Sequence, residues 1–98
     1  MTKEIRLREE AETDLDEASV WYQQQRRGLG DEFLDEVRTL SRSILQNPLA
    51  YPIVYRNTRR ALTKRFPFGL FYRVEPEYIV VVAIMHASRN PSRWKERT

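Results

Sequence analysis

Nine positions in the second half of this 98-residue chain carry groups that could hold or process an anion: Arg59, Arg60, Lys64, Arg65, Arg73, His86, Arg89, Arg93 and Trp94. Guanidinium forks grip phosphate or carboxylate bidentately, an indole can stack on a base or a partner side chain, and a histidine exchanges protons near neutral pH. Two chemistries fit these residue types. One is docking of an anionic macromolecule. The other is RNA cleavage through attack of the 2′-hydroxyl, which needs a base, an acid and cations around the developing phosphorane; Arg65, Arg73, His86 and Arg89 could supply them. Each residue also has a structural use: charge on an edge strand blocks sheet-to-sheet aggregation, a histidine at a strand end can serve as a hydrogen-bonding anchor, and Trp94 can tack the tail onto the sheet or the helices.

Charge distribution sharpens the first chemistry. Residues 51–98 hold 10 Lys/Arg against 3 Asp/Glu, whereas residues 1–50 hold 7 against 11, so the halves carry +7 and −4. A basic half of this kind meets nucleic acid or an acidic protein segment. Of the 17 basic residues 14 are arginine, a bias that suits recognition but that a GC-rich genome would also produce. With no cysteine, a disulfide framework and thiolate metal ligands are excluded, and with one histidine a protein-only zinc site is not expected; neither metal nor cofactor is expected. The opening residues lack the apolar stretch of a signal peptide, and no run approaches the roughly 20 apolar residues of a membrane span. The expectation is a soluble, cytoplasmic protein with no membrane partner, one domain over residues 1–98, built on one modest core.

The elements that must position these groups follow from periodicity. Lys3 to Arg8 alternates as a short strand. From Glu9 the spacing of Ala11, Leu15, Ala18 and Tyr22 is helical, with acids in the first turn, and the helix ends near Arg27. Gly28-Leu29-Gly30 turns the chain into a second helix, opened by Asp31 and Glu32, lined by Phe33, Val37, Leu40 and Ile44, and stopped at Asn47-Pro48. Residues 49–58 are irregular, with a possible strand fragment at Ile53 to Tyr55. Arg59 to Phe66, Gly69 to Glu75 and Tyr78 to Met85 read as strands, the last buried on both faces. Arg59 and Arg65 share one parity on their strand, Arg60 and Lys64 the other, so the four cannot meet one ligand. Phe66-Pro67-Phe68-Gly69 is a turn or bulge anchored by aromatic packing, and Arg73 shares a face with Gly69 and Phe71. The order is β-α-α-β-β-β with a short polar tail, an α+β fold whose antiparallel helical hairpin covers one face of a mostly antiparallel sheet. Function would then sit on the other face.

In layout and residues the chain resembles the RelE/ParE superfamily of toxins from type II toxin–antitoxin systems. The likeness runs through Ala11, Asp14-Leu15, Ala18, Trp21-Tyr22, Gly28-Leu29-Gly30, Phe33, Asn47-Pro48 and Tyr51-Pro52, then Arg60, Phe66-Pro67-Phe68, Tyr72-Arg73, His86, Arg89-Asn-Pro91 and Trp94. The resemblance implies a small bacterial toxin silenced by a cognate antitoxin. RelE-like members cut mRNA in the ribosomal A site with basic residues and often a C-terminal tyrosine; ParE-like members lack that set and are associated with poisoning DNA gyrase. Arg60 and Arg89 match basic positions of the nuclease pattern, but Gly69 stands where that pattern offers an arginine, and Trp94 lies near where its tyrosine would be. The expectation is a ParE-like inhibitor whose Arg59, Arg60, Lys64, Arg65, Arg73, Arg89, Arg93 and Trp94 meet target or antitoxin. The antitoxin is expected to have an acidic C-terminal segment and the target to be DNA gyrase. The alternative is a ribosome-dependent endoribonuclease using Arg65, Arg73, His86 and Arg89 on mRNA.

Overall fold

The computed structural model describes residues 3–88 and 91–98. The chain forms β1 (Glu4–Leu7), α1 (Glu9–Gln25), α2 (Leu29–Gln46), β2 (Ile53–Tyr55), β3 (Thr58–Leu62), β4 (Phe68–Val74), β5 (Tyr78–His86) and α3 (Pro91–Glu96). The five strands make one sheet in the order β1-β5-β4-β3-β2. β1 lies parallel to β5, and every other pair is antiparallel.

The helical hairpin arises as the periodicity demands. α1 buries Ala11, Ala18 and Tyr22, while α2 buries Phe33, Val37 and Ile44. Gly28 takes φ 88°, a left-handed conformation that glycine adopts without a Cβ clash, and this reverses the chain between the helices. Gly30 is needed for a different reason: a Cβ there would stand 2.5 Å from the Ser19 carbonyl oxygen of α1, so the helices approach through it. Tyr22 and Phe33 then meet Phe66 of the β3–β4 loop and Phe68 at the start of β4, with centroids 4.7 Å apart for Tyr22–Phe66 and 5.1 Å for Phe33–Phe68. This cluster pins the loop to the hairpin.

The strand fragment expected at Ile53 to Tyr55 is present as the three-residue β2, which pairs with β3 at the sheet's edge. Two sequence readings change. β3 stops at Leu62 because Thr63 turns its hydroxyl onto the Phe66 and Phe68 carbonyls, so Lys64 and Arg65 lie in a loop and the parity argument does not reach them. The polar tail is a helix. α3 seats Trp94 on the sheet face opposite the hairpin, stacked on Phe71 at 4.4 Å with 19° between the rings. The face expected to lie open for function is therefore partly covered, and β5 is buried on both sides: Ile79, Val81 and Ile84 join the hairpin core, and Val80, Val82 and Met85 join the Trp94 cluster.

What holds α3 down is ionic. Arg97 reaches back to Asp14 of α1 with Nη1 to Oδ2 at 2.6 Å and Nη2 to Oδ1 at 3.2 Å, and its Nη1 also donates to the Val82 carbonyl. The same Asp14 carboxylate accepts the Ile84 N–H, and Arg8 donates to the Arg97 carbonyl. Asp14 and Arg97 side chains keep only 8% and 17% of their exposure, so this pair is shielded from solvent far more than the surface bridges are.

Two outcomes test this account. Asp14→Ala strands a guanidinium and a buried amide together and should lower the unfolding free energy by about 3 kcal/mol, read from urea titration; a loss below about 0.5 kcal/mol would show that the pair contributes nothing. Tyr72 is fully buried, its hydroxyl donates to the Pro48 carbonyl at 2.7 Å, and burial pushes its ionisation up to about 12, against a partial offset from Arg59. The unfolded chain would lose that proton near pH 10. The contribution is therefore whole below pH 10 and drains away as pH rises through 12. Wild-type stability should fall across that window more steeply than that of Tyr72→Phe, a variant about 1 kcal/mol less stable at neutral pH; parallel pH profiles would refute the assignment.

Candidate functional site

The basic residues singled out by the sequence do not gather at one point. Arg59 is spent on architecture, with Nη1 donating to the Tyr51 carbonyl at 2.6 Å and lying 3.3 Å from that of Leu49, so it ties the segment before β2 to the sheet. Arg65 lies against α2, paired with Glu32 at 2.8 Å while its backbone N–H donates to Glu36. Glu32, which also accepts from Arg26, is held below the usual carboxylate range by hydrogen bonds from Arg65 and then Arg26. Lys64 sits in the same shallow groove as Glu32, Asp35 and Glu36. Both loop cations thus face an acidic stripe of their own chain.

Arg60 and Arg73 lie on β3 and β4, and their side chains diverge. The Arg60 stem runs across Gly69, where an added Cβ would come within 3.1 Å of its Cγ, and Nη1 lies 3.4 Å from the Ala87 carbonyl. Glycine at 69 is what gives Arg60 this path. Arg73 turns the other way, with Nε 3.5 Å from Glu75, an ion pair without a hydrogen bond. Arg73 is in register with Val80. His86 lies six residues further along β5, about 20 Å at strand rise. Arg65, Arg73 and His86 therefore cannot surround one phosphate in this arrangement, and Arg89 lies outside the described residues. Trp94 is buried, and its indole N–H has no partner among the described residues.

His86 and Arg93 are brought together, and by an unexpected neighbour. They line a groove of about 460 Å³ whose other wall is α1, with Asp14, Glu17, Ala18, Trp21 and Tyr22, and whose floor is formed by Pro67, Phe68, Ile84 and Met85. The His86 ring leans on Phe68 with centroids 6.2 Å apart. Its Nδ1 accepts the Ser88 backbone N–H at 3.3 Å, which places the proton of the neutral ring on Nε2. Arg93 is exposed and has no carboxylate partner among the described residues. Trp21, 55% exposed on α1, is the large apolar side chain on the rim.

Reasoning from charge missed this groove because its most telling residues are acidic and aromatic. One signal was present: Asp14 falls three residues after Ala11 and four before Ala18, on the stripe that faces the core. A carboxylate there requires a buried partner. Among the described residues no group of three or more His, Asp or Glu could hold a metal ion, and no helix is long and apolar enough to cross a membrane.

Comparison with known proteins places this geometry in context. A solved structure described as the chromosomal ParDE TA system from P. aeruginosa superposes with a TM-score of 0.79, covering 89% of this chain and 98% of that one at 16% identity, a likeness of fold. No curated protein matches by sequence. The sequence model for the ParE toxin of type II toxin–antitoxin system, parDE, matches residues 5–91, nearly the whole fold from β1 to the start of α3. The chain belongs to the ParE family of type II toxin–antitoxin toxins.

Proposed function

We propose that this protein arrests bacterial growth in the cytoplasm by binding DNA gyrase and trapping it on DNA, and that a cognate antitoxin with an acidic C-terminal segment silences it. Family membership supports a toxin with an antitoxin partner. The observation that carries the inhibitory reading is the dispersal of the basic residues: Arg65 is bound to Glu32, Arg73 points to Glu75, and His86 stands at the far end of β5. A metal-independent ribonuclease needs those groups around a single phosphate to stabilise its transition state. An inhibitor that works by occupancy does not. For such an inhibitor, a cation without an internal partner suffices as an anchor, and exposed Arg93 is available for that role.

An antitoxin segment rich in Asp and Glu would be steered to the +7 half of the chain and would fold as it binds, at the entropic cost that coupled folding carries. The test uses purified toxin, gyrase and supercoilable plasmid. Cleaved gyrase–DNA complexes should accumulate or supercoiling should fall, and added antitoxin should reverse either effect. In cells, expression without antitoxin should raise the DNA-damage response while mRNA on translating ribosomes stays intact. No effect on gyrase at high toxin excess would reject this target, and mRNA cleavage in its place would establish the nuclease reading.

A further inference from the structure

β5 is nine residues long, but β1 pairs with only its first part, from Tyr78 to Val81. Past that point the edge is left to other groups. Backbone polar groups alternate between the two edges of a strand, and the hydrogen bonds fix which way each points. Phe68 turns its carbonyl to Thr63 on the β3 side, so its partner His86 presents its own N–H and C=O away from β4. Ala87 N–H bonds back to Pro67, as alternation requires. Ile84, two residues before His86, therefore faces the open edge, and there its N–H donates to Asp14 at 3.0 Å.

That leaves the Ile84 carbonyl and the His86 N–H at the open edge, with no partner among the described residues. They flank Met85, and one residue of a parallel strand bridges two groups so placed with its own N–H and C=O. An antiparallel strand paired at Ile84 is barred, because Asp14 already fills that donor. The groove against α1 supplies the rest of a binding slot: Trp21 and Phe68 as apolar contacts, and Arg93 as a cation beside them.

We propose that this slot holds a short extended segment of the antitoxin, added to the sheet parallel to β5 in the line that β1 vacates. An apolar side chain of the segment lies between Trp21 and Phe68, and a carboxylate meets Arg93. This rests on the toxin–antitoxin reading above and specifies where and how the partner is held.

The test combines amide hydrogen exchange with titration of the toxin by its antitoxin. In the complex the His86 amide should exchange at least about tenfold more slowly than in free toxin. Trp21→Glu should weaken binding by about tenfold or more, and Arg93→Glu in the same direction. Val20→Glu, at a site of equal exposure on the same helix but outside the groove, should bind within about twofold of wild type. A complex in which the His86 amide stays as fast as in free toxin overturns the inference, and so do Trp21→Glu and Val20→Glu variants that bind alike. If wild-type toxin forms no complex at all, the antitoxin reading falls first, and this one with it.

Discussion

A central strand longer than its neighbour sets the terms for the whole molecule. β5 is buried on both faces, yet β1 ends at Leu7, opposite Val81. The backbone beyond Val81 would be left with unpaired polar groups in a poorly solvated place, which costs free energy comparable to a lost hydrogen bond for each group. Asp14 and Arg97 answer this jointly. The carboxylate takes the Ile84 N–H, the guanidinium takes the Val82 carbonyl, and each neutralises the other. One interaction therefore terminates a sheet edge, docks α3 and holds Trp94 on Phe71.

The layout of the fold was legible because its signals are local. Helical spacing at Ala11, Leu15, Ala18 and Tyr22, the glycine turn at 28–30 and the unbroken apolar run at 78–85 each imply their element without help from elsewhere. β2 was visible only as a fragment, since three residues cannot establish a period. The end of β3 was misread because Thr63 stops it through side-chain bonds to the carbonyls of Phe66 and Phe68, and such bonds leave no trace in hydropathy.

The candidate site was less legible, for a physical reason. Charge counted along a sequence says nothing about which cations already have partners: Arg65 finds Glu32, 33 residues away, and Arg59 is taken up by the uncharged Leu49 and Tyr51 carbonyls, which no charge count registers. Arg60 is the exception: the glycine directly across from Leu62 on the next strand leaves a channel for a long side chain beside it. Trp94 went the way of most large rings, into packing. The groove between α1 and β5 joins residues from four elements, and only tertiary assembly brings them together.

The parallel pairing of Glu4 with Tyr78 joins positions separated by most of the chain. Contacts of such long sequence separation must be closed against loop entropy before they return any stabilisation, so high contact order slows folding. The run that becomes β5 is synthesised long after β1, and its apolar side chains are covered by the hairpin on one face and by Trp94 on the other. Until that edge closes, the β5 backbone from Tyr78 to Val81 is a strand edge open to misassembly.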